Sequence, residues 1–268
     1  MINLSRILCS ALLMLTSVVP AVSHEFWISP RGYTFALGAE LRAEFRNGEN
    51  FNGNQLAYFD RSSKRLQIAG PAGLQNILSR NGDRPAIAYQ TTKPGLHILL
   101  HETSQSRITY KTPEKWAKFL RHKDLEQAAS SHAARGLPPK GFREGYSRHV
   151  KSLVAVGHGV GADQEFGLET EFVALTNPYG DDFSGTMTVQ LLYQGKPRPD
   201  TQVELFERPP SGKVKIRKLR TNSKGVASFA TQPGYVYLAD SVVLREPLGT
   251  DKKIVWETLW AALTFKVP

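Results

Sequence analysis

The stretch "TMTVQLLYQGKPRPDTQVELFER", Thr186 to Arg208, reads as a strand, a Gly195-Lys196-Pro197 turn and a second strand. Short β-forming runs bounded by Gly and Pro are the local signature of a hairpin, because Gly frees φ and Pro fixes it where the chain must reverse. The pattern continues downstream. "KVKIRKLRTNSKGVASFATQPGYVYLADSVVL", from Lys213, adds turns at Ser223-Lys224-Gly225 and Pro233-Gly234. The last run, "VWETLWAALTFKV" from Val255, alternates apolar residues and is expected to close a sheet.

Upstream, "AELRAEFRNGENFNG" from Ala39 has a strand followed by an expected turn at Asn47-Gly48. "QLAYFDRSSKRLQIAGPAG" from Gln55 reads as two strands around a polar turn. "AIAYQTTKPGLHILLHET" from Ala86 places Lys93-Pro94-Gly95 between two more. One segment breaks this rhythm. In "TPEKWAKFLRHKDLEQAASSHAARGLPPKG", Thr112 is a helix N-cap with Pro113 at the first helical position, and Gly136 with a Pro pair ends the segment. Trp116, Phe119 and Leu120 share one helical face. "GYSRHVKSLVAVG" from Gly145 then returns to a strand. The expected fold is all-β, with two immunoglobulin-like or prealbumin-like β-sandwich domains, 24–180 and 181–268. A helical insertion near 112–135 covers the first.

The leader "MINLSRILCSALLMLTSVVPAVS" has Arg6, an apolar run from Ile7 and small residues at Ala21 and Ser23, the form of a secretory signal peptide over 1–23. Its apolar run is short of the ~20 residues a spanning helix needs, and no later run approaches that length. The single cysteine, Cys9, lies before most of the apolar run, which excludes a lipoprotein signal. Cleavage after Ser23 leaves 245 of the 268 residues without cysteine, so the exported protein is held by its core alone. The expected location is the periplasm. Losing Arg6 takes Lys and Arg from 34 to 33 against 24 Asp and Glu, a net charge of about +9. Such a surplus suits an anionic small molecule, lipopolysaccharide or lipid headgroups, or simply a solvated surface. Export argues against nucleic acid as a partner.

"GKPRPDTQVELF", "KGVASF" and "PGYVYL" resemble the carboxypeptidase regulatory-like, or prealbumin-like, sandwich, which implies a fold and no chemistry. With "HEFWISP" from His24, "YSRHVKSLVAVG" from Tyr146 and "ETEFVALTNPY" from Glu169, the chain resembles a bacterial family of unknown function described as the periplasmic component of cobalt or nickel transport systems. The resemblance implies metal handling in the cell envelope. It carries over His24, in "HEFW", as a metal ligand.

The residues themselves admit the same chemistry. Cleavage after Ser23 makes His24 the amino terminus, where the α-amine, with an ordinary pKa of about 7.7–8.0, and the imidazole can chelate one divalent metal. Cleavage after Ala21 instead leaves Val22-Ser23-His24, a square-planar nitrogen set suited to nickel(II) or copper(II). Without a metal, His24 simply begins the strand "EFWIS". His97 and His101 sit four apart on one strand, about 13 Å from each other at ~3.3 Å per residue, so at most one can join His24. His97, nearer the Pro94-Gly95 turn, is the expected one. His158, between Gly157 and Gly159 with Asp163 nearby, is a third candidate on a loop. His122, His132 and His149 lie among Lys and Arg and are read as surface residues. Strand alternation points Glu25 away from His24, while Phe26 and Trp27 pack into the sandwich, with Trp27 near the surface.

Enzyme templates are missing: there is no H-E-x-x-H helix, no G-x-S-x-G elbow and no mature cysteine. Only copper monooxygenases that hold copper through an N-terminal His and a second His survive as an enzyme class. The leading expectation is a non-enzymatic periplasmic protein that binds a divalent transition metal, nickel, cobalt or copper, free or as an anionic chelate. It would serve metal transport or homeostasis, with an inner-membrane transporter as partner. The rival is an envelope module that binds glycan, lipopolysaccharide or a partner protein.

Overall fold

The computed structural model describes residues 24–268. The leader, and with it the signal-peptide expectation, lies outside them. Strands β1 (Glu25–Pro30), β2 (Thr34–Phe35), β3 (Glu40–Glu49), β4 (Asn52–Leu56), β5 (Ser63–Gly70), β6 (Gly73–Asn76), β7 (Ile87–Gln90), β8 (Gly95–Thr103) and β9 (Ser106–Tyr110) come first. Helices α1 (Pro113–Lys123) and α2 (Gln127–Ala134) follow, then β10 (Phe142–Val156), β11 (Thr170–Ala174), β12 (Thr186–Tyr193) and β13 (Lys196–Pro197). The chain ends with β14 (Gln202–Arg208), β15 (Lys215–Arg220), β16 (Val226–Ala230), β17 (Val236–Arg245) and β18 (Ile254–Lys266).

The protein is mostly β, in three stacked sheets. The central sheet runs β15-β14-β17-β18-β10-β8-β5-β6, with β2 and β9 pairing along β10. A four-stranded sheet of β1, β3, β4 and β7 covers one face, and β11, β12, β13 and β16 cover the other. The last strand does not close a sheet edge. β18 lies in the middle, antiparallel to β17 and parallel to β10 from Arg143↔Ile254 to Ser152↔Thr264. Strands buried on both faces need apolar residues at both parities, and the run "LWAALTF" supplies them. Ala261, Leu263 and Phe265 enter the core under β11, β12 and β16, and Ala262 enters the core under β1 and β3.

Helices α1 and α2 connect β9 to its antiparallel neighbour β10. Thr112 is the N-cap with Pro113 at the first position, and Asp124 ends α1 in the left-handed region at φ 60°. Trp116, Phe119 and Leu120 are buried against Phe142, Val242, Trp256 and Trp260. The helix pair therefore lies over β10, β17 and β18, beside the β1–β3 sheet.

Two local expectations give way to tertiary packing. Asn47 and Gly48 sit inside β3, and the hairpin turns at Asn50 and Phe51, with φ 54° and 58°. Gly48 faces Gly53 across the ladder, where a Cβ would come 2.1 Å from the Asn52 carbonyl oxygen. The glycine thus serves a close strand approach, and burial of Phe51 against Trp27 and Phe206 draws the turn three residues onward. Trp27 is not near the surface. It is 2% exposed, its ring centroid 5.2 Å from that of Phe51.

Candidate functional site

Strand β1 starts at the rim of a pocket. His24, just before β1, and Phe26 in β1 line it, with Phe45 from β3, Ser63 from β5, His101 from β8, and Tyr146 and Arg148 from β10, around a volume of about 220 Å³. Alternation along β1 sends Glu25 elsewhere, as expected. The His24 side chain is about one-third exposed, and Nε2 lies 3.3 Å from Glu49 Oε1. Its backbone carbonyl accepts a 2.6 Å hydrogen bond from Arg148 Nη2.

His101 is buried and stacked on Phe45, with ring centroids 4.1 Å apart. Nε2 lies 2.8 Å from Ser63 Oγ, and Nδ1 has no partner. When Ser63 Oγ accepts from Nε2–H, Nδ1 keeps a lone pair but is closed off from solvent. Burial pushes the imidazole pKa down to about 3, so the ring is neutral at physiological pH, the form that binds metals.

The structure thus brings His101 to His24's pocket, and His97 and His158 lie elsewhere. His97 is buried with Nδ1 3.1 Å from the Gly95 carbonyl oxygen, its ring packed over Gly70. His158 is exposed at the Gly157–Gly159 turn, where Nδ1 accepts from the Val160 N–H at 3.1 Å. The nearby Asp163 is tied to Lys151 at 2.8 Å.

Two histidines read as surface residues are interior. His132 accepts at Nδ1 from Trp256 Nε1–H, 2.9 Å, on the inward side of α2. His149 lies in β10, and burial lowers its pKa to about 4. Neighbouring charges in sequence misled here, because a strand central to the sheet is buried on both faces, and the inward side of α2 is covered by Trp256, whatever the sequence neighbours. His122 is exposed, its Nε2 2.8 Å from Glu204 Oε1.

Arg148 is 5% exposed and held between the Trp260 and Tyr146 rings, at 4.3 and 4.9 Å. Nη1 has no hydrogen-bond partner, and among the described residues no carboxylate pairs with the guanidinium. Glu25 instead belongs to a buried ion cluster. Lys123 Nζ lies 3.3 Å from Glu25 Oε1 and 2.9 Å from Asp240 Oδ2, bonds Glu204, and rests 4.7 Å from the Trp260 ring. Burial alone lowers the Lys123 pKa, but the charges of Asp240, Glu25 and Glu204 outweigh it and hold the ammonium firmly charged. Burial raises Glu204, yet His122 and Lys123 bring it down to about 2. Glu25, Glu204 and Asp240 place ligand oxygens within 4.8 Å of one another, the one such trio among the described residues. Lys123 contacts all three carboxylates, so an ammonium already fills the position a metal ion would take.

Glu144, two residues before Tyr146 on β10, is a further titratable group. It is fully buried on β10 and accepts from Tyr110 and Thr258 hydroxyls at 2.8 and 2.5 Å. Burial, partly opposed by these hydrogen bonds, pushes its pKa up to about 7. The folded state therefore holds a proton that the unfolded chain, near 4.5, releases, and this group's contribution to stability falls as pH rises between those values. Glu144→Gln is expected to gain about 3 kcal/mol on wild type between pH 4.5 and 7.5, read from paired urea melts. A constant difference across that range would refute the assignment.

The geometry describes a three-sheet β protein with a small, partly aromatic pocket at its first described residue. No described helix is long and apolar enough to cross a membrane. The chain belongs to the family described as "Domain of unknown function (DUF4198)", which it matches over residues 21–243. No curated protein matches it significantly. Among solved structures, a tetra-tandem repeat in the extending region of a large adhesion protein is 9% identical, with a TM-score of 0.21. The match covers 91% of this chain and 50% of that one, so the chain spans half the length of that structure. The D0-D1 domain of Intimin is 12% identical, over 89% of this chain and 97% of that one, with a TM-score of 0.21. Trypsin-activated alpha-2-macroglobulin from Escherichia coli is 11% identical, over 93% and 16%, at 0.20. At these scores none of the three fixes a function or a fold for this chain.

Arg148, Ser63, Glu49 and Lys123 escaped the sequence reading. Their roles depend on contacts between segments distant in the chain, 124 residues apart for Arg148 and His24.

Proposed function

We propose that the protein is a non-enzymatic periplasmic capture protein for nickel, cobalt or copper, serving metal transport or homeostasis, with its site built on His24 and His101. The observation that carries this reading is that both imidazoles line one pocket. Cleavage after Ser23 adds the His24 α-amine as a third nitrogen, and imidazole and amine nitrogens suit these ions. Arg148, by holding the His24 carbonyl, restrains the backbone from which amine and imidazole both spring. An inner-membrane transporter is the natural recipient of the captured metal.

Isothermal titration of the mature protein with nickel, cobalt and copper tests the reading. Wild type is expected to bind at least one of them about tenfold or more tighter than His24→Ala, a difference of about 1.4 kcal/mol. Equal affinities would remove His24 from the site. Intact mass of the exported protein distinguishes a terminus at His24 from one at Val22.

A further inference from the structure

A bare ion fits this pocket poorly, for reasons of size and charge. The volume of about 220 Å³ has room for several waters at ~30 Å³ each beyond an ion and its two imidazoles. Phe26, Phe45, Phe59, Ile108 and Tyr146 form much of the wall. The cation already lining the pocket is Arg148, which repels a second one. Its guanidinium meets aromatic rings and one carbonyl, and among the described residues no carboxylate pairs with it. A buried guanidinium without a paired carboxylate gains strongly from an anionic oxygen brought alongside it.

We infer that the pocket takes its metal together with a small, flat organic chelator carrying a carboxylate. The chelator's donor atoms fill the positions His24 and His101 leave open. Its carbon skeleton lies against the aromatic wall, and its carboxylate faces Arg148, lowering the charge the ion brings there. This rests on the reading of His24 and His101 as metal ligands, and it names the form in which the metal arrives.

Three probes test it on the mature protein in a non-coordinating buffer: nickel(II) alone, nickel(II) with one equivalent of 2-picolinate, and nickel(II) with one equivalent of 2-picolylamine. The last keeps the pyridine but lacks the carboxylate. Native mass spectrometry is expected to show one protein, one nickel and one picolinate. Titration is expected to give an affinity for that complex about tenfold or more above nickel alone and above the picolylamine complex. Arg148→Gln is expected to abolish the preference for picolinate over picolylamine. Nickel bound as tightly alone, picolinate missing from the complex, equal affinity for the two chelates, or an unchanged preference in Arg148→Gln overturns the chelate inference. Nickel bound alone as tightly as its picolinate complex does so while leaving the metal reading intact, whereas binding of none of the three probes overturns the chelate inference and removes nickel from the metal reading.

Discussion

Replacing Lys123 by methionine is expected to cost about 3–5 kcal/mol of stability, the range for removing one partner of a buried ion pair. The chain length of the side chain is roughly kept, so the loss comes from charge. Glu25, Glu204 and Asp240 are each buried, and their nearest described shared cation is this ammonium. Without it, carboxylates that lie within 4.8 Å of one another face each other out of water. His122 still holds Glu204 Oε1 at 2.8 Å, which relieves only one of them. The cluster also ties helix α1 to β1, β14 and β17, so the loss should appear as one cooperative shift in a urea melt at neutral pH. Adding Glu25→Gln, Glu204→Gln and Asp240→Asn to Lys123→Met should recover much of the stability, since neutral groups have no charge to desolvate. A single-variant loss below about 1 kcal/mol would show that the carboxylates find protons or water with little penalty.

Trp260→Ala has a comparable expected effect by a different route. The side chain is 1% exposed and packs with Phe119, and its truncation leaves a cavity between α1 and the central sheet. Large-to-small changes of this kind cost about 3–5 kcal/mol. For a domain of this size that lowers the melting temperature by roughly 6–20 °C. The same indole is the surface on which both Lys123 and Arg148 rest, at 4.7 and 4.3 Å. Trp260→Phe keeps a ring and should recover part of both losses. A melting temperature within about 2 °C of wild type for Trp260→Ala would show that the helix pair collapses onto the vacated space without penalty.

Much of the strand pattern was legible because its signals are local. Ser-Lys-Gly at 223–225 and Pro-Gly at 233–234 mark turns whatever surrounds them, and Thr112-Pro113 marks a helix start by the same local logic, whereas the expected Gly195-Lys196-Pro197 turn falls at Gln194-Gly195, with Lys196–Pro197 in β13 and β14 passing to the central sheet. What failed was set by distant partners. The parallel pairing of β10 with β18 joins residues more than a hundred positions apart, and it turns a terminal strand into a central one. Asn47-Gly48 looked like a turn until Gly53 was placed opposite Gly48. At the site, the sequence pointed to His24, allowed at most one of His97 and His101 to join it, and kept His158 as a further candidate. It favoured His97, whereas His101 lines the pocket with His24, because proximity to a turn says nothing about which strand lies alongside. The β8 register sets His101 opposite Leu66, in the pocket with Ser63, and leaves His97 against Gly70. Arg148 carried no local signal, since an arginine between Ser147 and His149 reads as surface charge until Trp260 and Tyr146 enclose it.

The placement of His24 and His101 in one pocket is tested most directly by metal titration of the mature protein beside three single variants, His101→Ala, His97→Ala and His158→Ala. His101→Ala is expected to weaken the tightest-bound metal by about tenfold or more, with the other two within about twofold of wild type. A His101→Ala protein that binds like wild type, or a His97→Ala or His158→Ala protein that loses as much, would contradict the site.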